Sequence, residues 1–191
     1  MTPARLEDIT GLLQASPRMD PATSGQLVEL LRDELHGLAA SMMRRQPAGH
    51  TLQATALVNE MYLRLAASAQ LSANSRAHFL GIAARAMRQV LARHAQDRRA
   101  LKRGGAFARV SFVEDMQAHE DDASTLALDT ALEKLAQLDE RQARVIEMRF
   151  FADMTIPEIA ECLDVSASTV EREWRMARAW VRAEMARDDA S

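Results

Sequence analysis

Two groups of residues have types and spacing suited to chemistry, and in both cases it is the non-covalent chemistry of a polyanion. From Arg85 to Arg103 the chain carries seven cations (Arg85, Arg88, Arg93, Arg98, Arg99, Lys102 and Arg103) against Asp97 alone, a local balance of +6. Guanidinium groups at this density suit phosphate oxygens, which they hold by charge and paired hydrogen bonds without reading base identity. A helix C-terminus attracts cations by itself, but that preference accounts for one or two of the seven. The second group is Ser168, Arg172 and Arg175, spaced to share the outer face of one helix. On the second helix of a helix-turn-helix such residues meet base edges in the DNA major groove, where Arg fits the paired acceptors of guanine. Glu171 and Glu173 lie among them and are unfavourable beside a polyanion, so one is expected to pair with a nearby arginine or to accept from a cytosine amino group.

The hairpin that would position the second group runs from Met154 to Val181, and both of its helix starts are written in residue types. Thr155 with Glu158 forms a capping box, and Met154 with Ile159 a hydrophobic staple across it. Ser166 caps the second helix, with Val165 and Val170 as its staple. Asp164 stands where a left-handed residue must end the first helix, a position Asp tolerates better than most residues. Val170, Trp174, Ala177 and Val181 recur at helical spacing and should face the core. A hairpin that merely packs is the plainer alternative, since short capped hairpins are common in all-α domains.

The whole chain of 191 residues can hold one large or two small domains, and 48% hydrophobic residues suffice for real cores. Few aromatics, seven Gly and five Pro in an Ala-, Leu-, Met- and Arg-rich chain predict helix almost throughout. The single cysteine, Cys162, excludes an internal disulfide and reads as a buried structural thiol. No apolar run approaches a membrane span and no leader opens the chain, so a cytoplasmic protein with no membrane partner is expected. His36, His50, His78, His94 and His119 are scattered, without metal-ligand spacing, and no glycine-rich phosphate loop opens a helix. No catalytic residue, cofactor or metal is therefore expected.

In chain order, Leu6 to Ala15 is a short amphipathic segment, and one long helix is predicted from about Ser24 to Arg45. Thr55 could cap the next, with Leu57, Val58, Met61, Tyr62 and Leu65 as its apolar stripe. A polar stretch from Ser68 to His78 reads as a loop. Phe79 to Arg103 should be one helix, with Leu80, Ile82, Ala83, Met87, Val90 and Leu91 on its buried side. Gly104 and Gly105 end it. From Glu114 to Glu140 nine acidic residues face only Lys134, a balance of −8 that suggests a solvated acidic connector. Asp139 with Gln142 caps a further helix, with Val145, Ile146, Met148 and Phe150 as core candidates. The fold class is thus all-α: two small helical domains, residues 1–103 and 125–187, on a flexible acidic linker over 104–124, the second ending in a helix-turn-helix.

In this order the runs resemble a bacterial RNA polymerase sigma factor of the extracytoplasmic-function (ECF) type. ATALVNEMYLRL is similar to the helix by which such factors grip the polymerase clamp, and SRAHFLGIAARAMRQVLARHAQDRRALKRGG to their promoter-melting helix with its preceding loop. LDERQARVIEMRFFADMTIPEIAECLDVSASTVEREWRMARAW is similar to the module that reads the upstream promoter element. The resemblance implies that Leu57, Val58, Asn59, Glu60 and Arg64 bind core RNA polymerase. Asn74, Ser75, Arg76 and His78 would capture a base flipped from the non-template strand, and Arg85, Arg88, Arg93, Arg98 and Arg99 would hold the melted strand and adjacent duplex. Ser168, Arg172 and Arg175 would read the upstream element while Arg149, Thr169 and Arg178 hold its phosphates. Promoter DNA and core polymerase are the implied partners, with an anti-sigma protein or other regulator a further one. Asp164 replaces the usual turn glycine, and Glu171 and Glu173 depart from the basic or small residues of many members, so base preference does not carry over.

A stand-alone helix-turn-helix regulator with a helical signal-binding or dimerisation domain is the rival reading, and it leaves the run from Arg85 to Arg103 without a use. A purely structural bundle leaves both groups without one. The acidic connector beside a basic helix further predicts that the free chain binds promoter DNA poorly. The two modules could close on each other or stay apart.

Overall fold

A computed structural model describes residues 9, 11–13, 21–46, 52–67, 73–101 and 122–188. Helices α1 (Pro21–Leu30), α2 (Arg32–Arg44), α3 (Ala54–Ala67) and α4 (Arg76–Leu101) form the first module. The second comprises α5 (Asp122–Leu138), α6 (Glu140–Ile146), a π turn over Glu147–Phe151, α7 (Ile156–Leu163) and α8 (Ala167–Asp188). Among the described residues there is no strand, as the composition predicts.

Local signals set several helix ends. Asp139 accepts from the Gln142 N–H at 3.0 Å, and Thr155 with Glu158 closes the complete capping box. Asp164 adopts the left-handed conformation (φ 53°, ψ 51°), and Ser166 accepts from the Thr169 N–H at 3.2 Å. Helix α4 starts three residues before the predicted Phe79, because Ser75 Oγ accepts from the His78 N–H at 3.1 Å and so caps it. Helix α5 starts at Asp122, so positions 122–124 of the predicted linker are helical; its remainder, with Gly104 and Gly105, lies outside the described residues.

Two departures come from packing. The single helix predicted from Ser24 to Arg45 is jointed at Leu31 (φ −103°, ψ 14°), although its i to i−4 hydrogen bonds continue through the joint at 2.9 Å. No Gly or Pro marks that position; Leu27, Leu31 and Leu35 are all fully buried there. The π turn is the other. One extra residue per turn brings Glu147, Met148, Phe150 and Phe151 all inward, and the two rings meet edge to face at 4.8 Å.

A single apolar cluster runs through both modules, from Ile9 and Leu27 through Phe79 and Met87 to Leu132, Ile146 and Val181. Helix α4 lies at its centre, with α3 on one side and α5 with the π turn on another. This explains why α4 is buried more widely than one amphipathic stripe allows: Phe79, Ala84, Ala86, Ala92 and Ala95 join the predicted Ala83, Met87, Val90 and Leu91, while Leu80 and Ile82 are only half-buried. The two modules also approach closely at Gly81, where a Cβ would lie 3.0 Å from Met148 Cγ. The modules are therefore closed on each other. A smaller cluster of Val145, Met148, Met154, Ile159, Cys162 and Val170 holds the hairpin together, with both predicted staples in or against it.

Candidate nucleic-acid interface

The hairpin presents its second helix outward. Ser168, Arg172 and Arg175 are exposed on α8, and Arg175 Nε reaches only the Glu171 carbonyl, at 3.4 Å. The acidic neighbours divide as the sequence suggests. Glu173 is 3% exposed and turned inward, where its carboxylate takes the Arg141 guanidinium at 2.5 and 3.0 Å; Glu171 stays exposed. The Glu173 charge is thereby neutralised from α6, while the Glu171 charge stays open beside Arg172. Arg149 donates to the Met154 carbonyl at 2.7 Å, Thr169 belongs to the cap, and both are half-exposed, as is Arg178.

The polar residues before α4 are brought together, but not left open. Asn74 is exposed, with Oδ1 2.9 Å from His78 Nδ1. Arg76 holds Glu34 on α2 through Nε at 2.9 Å. His78 Nε2 lies 2.9 Å from an Arg144 nitrogen, and Ser75 Oγ lies 3.5 Å from Cys162 Sγ, so two residues of the second module sit against this segment. Arg144 can only donate, so His78 Nε2 accepts and Nδ1–H donates to Asn74.

The basic helix is divided more sharply. Arg88 is 4% exposed, enclosed by Asp129, Glu133 at 2.9 Å and Glu147 at 3.1 Å. Gln89 adds a hydrogen bond to Glu133 at 3.1 Å, and Arg85 lies 3.6 Å from Glu147. Burial works against the Arg88 charge, but its three carboxylates outweigh that and hold its pKa above the ordinary value. Burial pushes Glu147 and Asp129 up, with Arg88 offsetting only part of it. Farther along, Arg93 is exposed and Arg98 half-buried; the Arg99 side chain lies outside the described residues. In this closed arrangement Arg88 meets protein carboxylates rather than solvent, contrary to its expected place on an open basic face.

The predicted polymerase-contacting set also divides. Leu57 and Val58 are 0% and 9% exposed within the core, so they have little surface to offer a partner. Asn59 and Arg64 are exposed, Glu60 holds His94 Nε2 at 3.0 Å, and Leu63, 65% exposed, joins them outside.

The family model of ECF sigma factors matches residues 6–187, spanning both the basic helix and the hairpin. The chain belongs to the ECF sigma factor family. No curated protein and no solved structure gives a significant match. In this family member the acids that meet Arg88 went unrecognised in the sequence, since Asp129 and Glu133 fall inside the run read as a solvated connector. Their four-residue spacing on one helix face was the available signal. Nothing local marks Arg144 as the partner of His78. Burial pushes the Cys162 thiol up, with the Ser75 contact opposing it, which disfavours the reactive thiolate. No described helix is long and apolar enough to cross a membrane, and no described group of three or more His, Cys, Asp or Glu could hold a metal ion.

The His78 contact makes closure sensitive to acid. Burial first and the Arg144 charge second hold the His78 pKa below its ordinary 6.5. A depressed folded pKa means the contribution is complete above the unfolded value and is lost as pH falls through and below it. Stability of the full chain, measured by urea unfolding across that window, should therefore fall more steeply with acid in the native protein than in His78→Gln. The raised Glu147 and Asp129 act in the opposite direction in both proteins and cancel in the comparison. Identical pH slopes would contradict a neutral His78 in the folded state.

Proposed function

We propose that the chain binds core RNA polymerase and directs it to start transcription at particular promoters, acting without a covalent step of its own. The observation that carries this reading is the presence, in one chain of the ECF sigma factor family, of an exposed arginine-bearing hairpin and a separate arginine-rich helix behind a polar segment. One surface selects duplex sequence and the other handles opened strands, a combination that a simple repressor does not need.

In this reading Ser168, Arg172 and Arg175 read the upstream element, with Arg149, Thr169 and Arg178 on its phosphates. Asn74, Ser75, Arg76 and His78 receive a base extruded from the downstream element. Unstacking a base costs on the order of a few kcal/mol, which polar partners for its edge help to offset. Arg85, Arg88, Arg93, Arg98 and Arg99 hold the strand by contacts that weaken with salt. Asn59, Glu60, Leu63 and Arg64 meet the polymerase, over a core that includes Leu57 and Val58. A cytoplasmic location and control by an anti-sigma protein or another regulator fit the same reading.

The test is transcription in vitro from a pool of promoter fragments, by core polymerase with and without the full chain. Discrete transcripts that require both components are the expected result. Tight binding to a palindrome with no polymerase-dependent transcript would overturn it.

A further inference from the structure

We propose that Met176 is a specificity-determining residue of α8, its thioether side chain packing on the 5-methyl group of a thymine in the upstream element. This deepens the proposed function, because it rests on reading the outer face of α8 as the surface that meets the major groove.

Among the described residues three large apolar side chains are exposed, Leu63, Leu138 and Met176, and only Met176 lies on the second helix of the hairpin. The inward positions of that helix are already taken: Val170, Ala177, Val181 and Met185 are buried, with Trp174 packed against them. Met176 is 54% exposed and stands outside both apolar clusters. It completes a stripe instead. Ser168, Glu171, Arg172, Arg175 and Met176 are all exposed and recur at the spacing of a single helix face. At about 1.5 Å per residue this stripe is about 12 Å long, which matches the width of the major groove and covers three to four base pairs at about 3.4 Å each.

The make-up of the stripe suits base edges better than phosphates. Glu171 repels a phosphate, and a thioether gains nothing from one. In the major groove thymine alone presents a methyl group, set beside its O4 acceptor. Methionine is unbranched and polarizable, so it can settle on that methyl from a range of approaches. Arg172 stands one turn before Met176 and Arg175 directly precedes it, which places the thymine within one or two base pairs of a guanine held by either arginine.

The test starts from upstream elements randomised over these base pairs and transcribed in vitro by core polymerase with the full chain. One thymine preference is expected to vanish in Met176→Ala and to persist in Met176→Leu, which keeps the apolar contact. Deoxyuridine at that thymine then removes the methyl group alone and leaves the base pair and its O4 acceptor in place. With the native chain this substitution should lower transcription at limiting concentration by about three- to tenfold, the scale of one lost methyl contact. Met176→Ala should use the thymine and deoxyuridine templates equally. Each comparison sets two templates against one protein, so any loss of folded chain cancels. Equal use of both templates by the native chain at every thymine of the element would overturn the proposal, as would an undiminished preference for the methyl in Met176→Ala. Polymerase-dependent transcripts that ignore the methyl remove the role of Met176 and leave the sigma reading standing. A chain that yields no transcript with core polymerase removes the sigma reading and this inference with it.

Discussion

Replacing Arg88 with Met is expected to cost the full-length chain about 3–5 kcal/mol of stability, because it leaves the buried Glu147 carboxylate without its principal cation. Glu147 is 4% exposed and has only Arg85, 3.6 Å away and partly in solvent, to take over. Glu147 can escape by taking up a proton, and burial already raises its pKa. A carboxyl whose folded pKa lies above its unfolded value stabilises the fold increasingly as pH falls through the folded value. The deficit of Arg88→Met should therefore be smaller at an acid pH than at a pH above neutrality. Replacing Arg88 and Glu147 together by Met should recover much of the loss, since apolar side chains of similar volume remove the desolvation cost with the charge. Urea unfolding of the full chain at the two pH values tests this. A single mutant as stable as the native chain at the higher pH would mean that the acids do not enclose Arg88 in solution.

Loss of both Arg172 and Arg175 should act on exposed side chains of α8 and leave stability nearly untouched. Each is exposed, and neither contributes a buried contact whose loss would unfold the hairpin. A well-formed arginine contact to guanine is worth about 1–3 kcal/mol of discrimination. The double alanine variant should therefore lower transcription from the chain's own promoter by roughly thirtyfold to about twenty-thousandfold at limiting concentration, if the two contributions add. Unfolding free energies should stay within about 0.5 kcal/mol of the native chain. Arg141→Ala is the informative comparison: it touches no base in this reading, yet frees the Glu173 charge beneath the reading face, and should weaken binding to all promoter sequences alike. Full activity in the double variant would remove α8 from the reading role.

Much of the hairpin was legible in advance because its determinants are local. Thr155, Glu158, Asp164 and Ser166 act on backbone groups within a few residues, so their roles follow from residue type and spacing alone. The inward turn of Glu173 departs from the outer face expected for it, because it shares a face with the apolar residues Val170 and Ala177. The π turn was not legible. Glu147, Met148, Phe150 and Phe151 read equally well as one more α-helical turn until both rings have to be buried together.

What the amino-acid sequence determines by itself is the all-helical class, the capped hairpin and the separation of charge into a basic helix and an acidic stretch, each a property of residues close together along the chain. Only the tertiary structure decides what the separated charges do. Asp129, Glu133 and Glu147 stand 41, 45 and 59 residues from Arg88, and no periodicity relates them. The apolar surfaces of α4 and the second module come together to leave water, and in doing so they bring the two charge runs into contact. Read along the chain, the acids suggest a solvated tether; in the closed fold they enclose the arginine that the basic run seemed to hold out for nucleic acid.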